Sequence, residues 1–262
     1  METKFDHWIL HVEEHIAHMT LNRPEQKNRI DYTTLTELGQ ISAIIANDPT
    51  IWAAVVCANG ENFSAGVDVS LIGDMMDQDA DTYRNKLREA QGFLDQFEAI
   101  EKPTIAALKG HVIGGGMILA LCCDFRVADE TAIFSLPEVK RSIGVIMGTQ
   151  RITRTIGIAH TKEMVMLGNS VGADKAAEIG LVHRVVPQHL LQESVRELSS
   201  QIISLPPLAV GLCKKIINEG QFLTRSGQEL EIEAQAALLK TDDFKEAIKS
   251  FFEKRKPIYQ GR

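Results

Sequence analysis

Three consecutive glycines, Gly114-Gly115-Gly116, stand between a short apolar run of strand type (103–108) and an apolar run of helix type (117–124). The whole stretch reads Lys109-Gly110-His111-Val112-Ile113-Gly114-Gly115-Gly116-Met117-Ile118-Leu119-Ala120. Glycines placed there let the backbone approach a ligand closely, and they leave the first amides of the helix unpaired. Those amides lie at the positive end of the helix dipole, where an oxygen gaining negative charge is stabilised. A tight turn with no ligand is the other reading of the same stretch. A dinucleotide fingerprint needs G-x-G-x-x-G, whereas the spacing here is G-x-x-x-G-G-G. A phosphate loop needs Gly-Lys-Ser/Thr, and Met117-Ile118 follows instead. The turn suits a single oxygen better than a pyrophosphate.

The chain of 262 residues, 44% of them hydrophobic, is long enough for a real core. A net charge of −7 argues against nonspecific nucleic-acid binding. Cys57, Cys122, Cys123 and Cys213 have no C-x-x-C spacing, so neither a zinc site nor a disulfide framework is expected, and a reducing cytoplasm is the natural compartment. Residues 1–7 hold no apolar core of a signal peptide, and no apolar run reaches the roughly 18 residues of a membrane span.

Residues 8–12 and 16–21 read as a hairpin of two strands. His7, His11, His15 and His18 fall on alternating positions that do not share one face, so a solvated hairpin is expected rather than a metal site. Residues 22–28 are a loop, 33–45 a helix, and 51–58 a buried strand. The next loop, Asn59 to Asp68, carries small residues after that strand. Residues 74–100 are polar and helical, with a solvated Asp-rich start, 74–81. Strands follow at 124–128 and 132–136, then helices at 153–167 and 173–179 and a strand at 181–186. From 188 the pattern is helical only: 188–203, 207–219, 226–239 and 242–254. The last helix gathers Phe244, Ile248, Phe251 and Phe252, enough apolar surface to pack on the chain's own body or on a second subunit. Repeated β–β–α units with a helical end give an α/β fold, with a core at 1–187 and a helical region at 188–262.

Several motifs, in order, resemble the enoyl-CoA hydratase/isomerase (crotonase) superfamily. They are Asn22-Arg23-Pro24, Phe63-Ser64-Ala65-Gly66-Val67-Asp68, the glycine turn, Pro137-Glu138, Gly148-Thr149-Gln150-Arg151, 176–182 and 252–256. The resemblance implies a spiral of β–β–α turns with a C-terminal trimerisation region, and a homotrimer or a hexamer made of two trimers. It implies an acyl-CoA thioester as substrate. Coenzyme A is then part of that substrate, and no separate cofactor, metal, membrane or nucleic acid is expected. By the same resemblance the amides of Ala65 and Gly115 form an oxyanion hole, and Ala65, Gly66, Val67, Asp68, Gly115 and Ile118 line the substrate groove. Lys254 or Lys256 would meet the phosphates of coenzyme A.

The departures from the family pattern bear on the chemistry. Family hydratases hold a water between two glutamates. One of those positions is Glu138 here, and the other is Ile118. A lone carboxylate suits a proton shuttle from C2 to C4 of an enoyl thioester, and an apolar Ile118 would exclude water and desolvate Glu138. An enoyl-CoA isomerase is therefore the expected activity. A hydratase or other lyase or hydrolase with an altered site, and a non-catalytic acyl-CoA-binding scaffold, are the alternatives. A dienoyl-CoA isomerase would need an aspartate in 139–147, which has none. His111 is the candidate for other polar chemistry and reads as a structural histidine. The 139–147 loop is one residue shorter than the family pattern, and Lys140-Arg141 place charge where apolar residues are usual.

Overall fold

The computed structural model describes residues 2–68, 79–141, 143–220 and 240–262. The chain opens with an antiparallel meander, β1 (Glu2–Lys4), β2 (Trp8–Glu13) and β3 (Ile16–Leu21). The β2–β3 turn uses Glu14 and His15 at φ 46° and 68°, the left-handed pair that matches the twist of a two-residue hairpin. Helix α1 (Tyr32–Asn47) starts one residue before the expected 33–45 because Asp31 caps it. The Asp31 carboxylate accepts from Thr34 N at 2.9 Å, and Thr34 Oγ1 accepts from Asp31 N at 3.3 Å. Such a reciprocal cap contributes about 1 kcal/mol.

Strand β4 (Ala53–Ala58) leads to α2 (Ala80–Glu98). Then come β5 (Thr104–Leu108), β6 (His111–Ile113) and α3 (Gly115–Leu121). The next turn of chain gives β7 (Phe125–Asp129), β8 (Ile133–Ser135), a 3-10 turn at Glu138–Arg141, and α4 (Thr149–Leu167). Strand β9 (Ser170–Gly172), α5 (Ala173–Glu178) and β10 (Arg184–Val186) complete the spiral. Helices α6 (Leu191–Ile203), α7 (Pro207–Glu219) and α8 (Asp242–Glu253) follow. The expected helix at 226–239 and the Asp-rich residues 74–78 lie outside the described residues.

Each turn of the chain contributes to two layers. The large sheet has the order β1-β2-β3-β4-β5-β7-β10, with β3, β4, β5, β7 and β10 parallel. Beside it, Ile30 bridges Val67, Ser64 bridges Val112, and β6 pairs parallel with β8, so the segments that leave the large sheet stack as well. Stacking of successive turns in this way is a spiral of β–β–α units. The parallel strands are buried on both faces, which is why β4 reads as an unbroken apolar run. One face packs on α1, α2 and α3 through residues such as Ala54, Val56, Leu38, Phe97 and Met117. The other packs Val55, Ile105 and Val127 against Leu191, Val195 and Ile202 of α6.

Two buried cations tie the layers together. Arg126 donates to Cys123 O, just past α3, at 2.6 Å and to Leu181 O, just past α5, at 2.7 Å, and so joins the two helix ends. Lys214 of α7 pairs with Asp124 at 2.8 Å, and Asp124 in turn accepts from Thr104 N at 2.7 Å.

The structure also departs from sequence expectation in places. Helix α4 starts at Thr149 rather than 153, and Gly157 at φ 73° interrupts it. His11 and His18 do share a face of the hairpin, paired across the strands and beside Glu13, because their registers coincide. His7 instead bonds Thr34 Oγ1 at 2.9 Å, and His15 stacks on Trp52. Among the described residues, no helix is long and apolar enough to cross a membrane.

Cys122 and Cys123 are buried, and burial pushes the Cys123 thiol up to about 12 and that of Cys122 further still. Cys213 is exposed. A thiol reagent at pH 8 should label Cys213 within minutes and reach Cys122 and Cys123 only after denaturant is added. Fast labelling of the native vicinal pair, mapped by mass spectrometry, would contradict the packing of α3.

Candidate active site

Gly114 sits at the N-cap of α3 with φ 49° and ψ −119°, a conformation that an L side chain resists. Its N–H donates to Ser135 O at 2.9 Å, and its carbonyl accepts from Ile118 N at 2.9 Å. The following amide, Gly115 N–H, has no acceptor among the described residues and points out of the first helical turn. Both the free N–H and the helix dipole favour a partly negative oxygen at that point.

The second backbone donor is not the expected one. Ala65 N–H donates to Lys27 O at 2.9 Å, so it is already satisfied. Val67, two residues on, supplies the free donor. Gly66 O accepts from Ile30 N at 2.8 Å and Asp68 N donates to Ile30 O at 2.9 Å, which turns the Val67 N–H toward the opposite edge. That N–H has no acceptor among the described residues. A Cβ built on Gly115 would lie 2.9 Å from Val67 Cγ2, so the two donors belong to neighbouring backbones. Gly66 itself has φ 99°, and a Cβ there would meet Ile113 O at 3.1 Å. Sequence reading placed Val67 in the groove but not as the donor, because the signal is the Ile30–Val67 bridge, which joins residues far apart in the chain.

Glu138 follows Pro137 at the start of the 3-10 turn. Its carboxylate lies over the glycine turn, with Oε1 2.8 Å from where a Gly114 Cβ would be. Val67, Gly114, Gly115 and Glu138 all border one cavity of about 790 Å³, which is within the usual range for small-molecule sites. Among the described lining residues the acidic ones are Glu89 and Glu138. A hydrogen bond to Glu89 pushes the Tyr32 phenol up to about 12, so it stays protonated.

Ile118 forms part of the same wall, with its Cγ1 2.7 Å from where a Gly148 Cβ would lie. Ala65 and Gly66 line the cavity too, while Asp68 stands beside it, 3.5 Å from Arg29. Lys140 turns its stem against Gly168, away from the cavity. His111 is exposed at the start of β6 and does not reach the site. Lys254 and Lys256 are exposed beyond α8 and are not among the lining residues.

The loop that closes the cavity, with Ile143, Ile146 and Met147, is clamped from outside. Arg151 donates to Met147 O at 2.5 Å, to Asp95 at 2.6 Å and to Glu98 at 2.8 Å, joining that loop to α2. Met147 has φ 65°, a strained value for a side chain of its size, and the clamp offsets that cost.

The sequence model of the enoyl-CoA hydratase/isomerase family matches residues 11–262. The chain belongs to that family. It is 35% identical to a short-chain-enoyl-CoA hydratase of Clostridium acetobutylicum, over 95% of each chain. It is 34% identical to the enoyl-CoA isomerase/hydratase fer4 of Mycosarcoma maydis, over 94% of this chain and 93% of that one. The crystal structure of an enoyl-CoA hydratase from Bacillus anthracis superposes with a TM-score of 0.91 at 33% identity, covering 98% of this chain and 100% of that one. As a member of the enoyl-CoA hydratase/isomerase family, the chain is an acyl-CoA-processing enzyme.

Gly114→Ala puts a methyl group against Glu138 and forces φ back from the left-handed region. It should lower kcat/KM on an acyl-CoA substrate by about 100-fold or more, the cost of losing one aimed donor. Turnover within threefold of wild type in a variant with unchanged circular dichroism would argue against this geometry.

Proposed function

We propose that the enzyme moves a double bond along an enoyl-CoA thioester, from C3 to C2, with Glu138 as its only proton carrier. The observation that carries this reading is that, among the described residues, one carboxylate is placed over the glycine turn, with Ile118 in the wall where a second would be needed to hold water. The thioester oxygen would accept from Val67 N–H and Gly115 N–H. Glu138 would take a proton from C2, and the charge would spread as a dienolate onto the held oxygen. The same carboxyl group would then return the proton to C4, leaving a 2-enoyl thioester. Two fixed donors of this kind contribute about 3 kcal/mol each to such an anion, and proton transfer by a placed side chain adds about 10²–10⁴-fold.

Hydration is the second reading, favoured by the printed name of the Clostridium relative. It requires a water held and split by one carboxylate. The two are told apart with purified enzyme supplied with a 3-enoyl-CoA or a 2-enoyl-CoA, and products resolved by mass. Isomerisation should exceed hydration by at least 100-fold, and Glu138→Gln should lower it by about 10³-fold while still binding substrate. Faster hydration than isomerisation, or a Glu138→Gln variant with wild-type turnover, would overturn the reading. Binding with no turnover of either substrate would point to a non-catalytic role.

The same reading takes 188–262 as the oligomerisation region. Phe251 and Phe252 of α8 are 76% and 77% exposed, which is costly surface for an isolated chain. Light scattering should give the mass of a trimer or hexamer, and Phe251→Glu with Phe252→Glu should lower it toward that of one chain. A monomeric wild type would remove this part of the proposal.

A further inference from the structure

The cavity extends much further than a four-carbon acyl group requires. Beyond the Val67–Gly115 donors it is walled by apolar side chains, among them Leu35, Leu38, Leu87 and Leu94. Two helical stripes form its sides. Leu35 and Leu38 share a face of α1, and Leu87, Ala90 and Leu94 share a face of α2. From Tyr83 to Leu94 the α2 stripe is about 16 Å long at about 1.5 Å per residue.

Among the described residues, the polar groups at the inner end are already bonded within the protein. Trp8 Nε1 donates to Thr34 O at 3.0 Å. The Thr34 hydroxyl is held by Asp31 and His7, each at 2.9 Å. These groups are committed within the protein, so a polar group delivered to the inner end would lose its water without replacement. Ala90 is the small residue between Leu87 and Leu94 on that stripe.

We propose that this cavity selects unbranched aliphatic acyl thioesters of about ten to fourteen carbons, since an extended chain of roughly 1.5 Å bonds advances about 1.3 Å per carbon and needs twelve or so to span the stripe. The chain lies along Leu35 of α1 and Leu87 of α2, and Ala90 sets the width. The inference rests on the reading above that the thioester carbonyl sits at Val67 and Gly115.

The test uses saturated acyl-CoAs, which bind but cannot react, so it is independent of the chemistry. Calorimetric titration of the purified protein with butanoyl-, hexanoyl-, octanoyl- and decanoyl-CoA should show Kd falling about three- to fourfold per added methylene, the value for a methylene leaving water. Decanoyl-CoA with a terminal carboxylate should bind at least tenfold more weakly than decanoyl-CoA. Ala90→Phe should collapse the difference between butanoyl- and decanoyl-CoA to under threefold, and Leu87→Trp serves the same purpose if that variant does not fold. A wild-type difference under tenfold between the four- and ten-carbon ligands overturns the inference, as does an unchanged slope in the folded variant. A steep slope combined with no isomerisation of 3-decenoyl-CoA would sink the isomerase reading and leave this one standing.

Discussion

Two stretches of backbone, 64–67 and 112–116, pass so close that side chains cannot stand between them, and the rest of the site depends on that approach. Ser64 N donates to His111 O at 2.9 Å and Ile113 N donates to Ser64 O at 3.0 Å, fixing one stretch on the other. Gly114 N–H, tied to Ser135 O, fixes the turn to the next layer of the spiral. With those bonds made, Val67 and Gly115 present their N–H groups without any further ordering. Donors already fixed in place cost no reorganisation when charge develops, which is where such sites gain their advantage over water.

The spiral explains why these pieces meet. The loop 59–68 follows β4, the glycine turn follows β5 and β6, and Glu138 follows β7 and β8. Strands β4, β5 and β7 are parallel neighbours in one sheet. Their outgoing loops therefore collect along the carboxyl edge, the general location of ligand sites in such sheets. Residues 67, 115 and 138 are distant in sequence, yet each lies one layer from the next. The large sheet is rigid because it is buried on both faces, and it hands that rigidity to loops that would otherwise wander.

How much of this could be read from the sequence depended on the range of the interaction involved. The glycine turn was legible because a local pattern, strand then breaker then helix, carries its own physics, whereas Pro137-Glu138 was picked out by its resemblance to the family. The helices α1, α6 and α7 were legible from apolar spacing. The start of α1 was missed by a residue because a capping box depends on Asp31 and Thr34 pairing, which periodicity does not record. The donor at Val67 was misplaced to Ala65 for a different reason. Which amide is free depends on what Lys27 and Ile30 take, and both come from a loop more than thirty residues upstream, on the scale of the hydrogen bond separations near Asn28. The Arg151 clamp was invisible too, since its carboxylates on α2 have no spacing relation to it. Local chemistry is written in the chain, whereas register between layers is not.

Ile118 is better understood as part of this long-range packing than as a missing glutamate. Its side chain occupies the space beside Gly148 and Val145, and a Cβ on Gly148 would be 2.7 Å from Ile118 Cγ1 and 3.1 Å from Val145 Cγ1. The loop 143–147 can close on the cavity because an apolar branched side chain fills that corner and because Arg151 holds Met147 O from behind. A carboxylate put at 118 would enter a wall that offers it aliphatic neighbours, and an unpaired charge in such a wall is expensive enough to be protonated or to push the loop away. Ile118, the loop 143–147 and the Arg151 clamp are thus packed as one unit. The result is a cavity wall in which Ile118 and Val145 pack together beside Gly148.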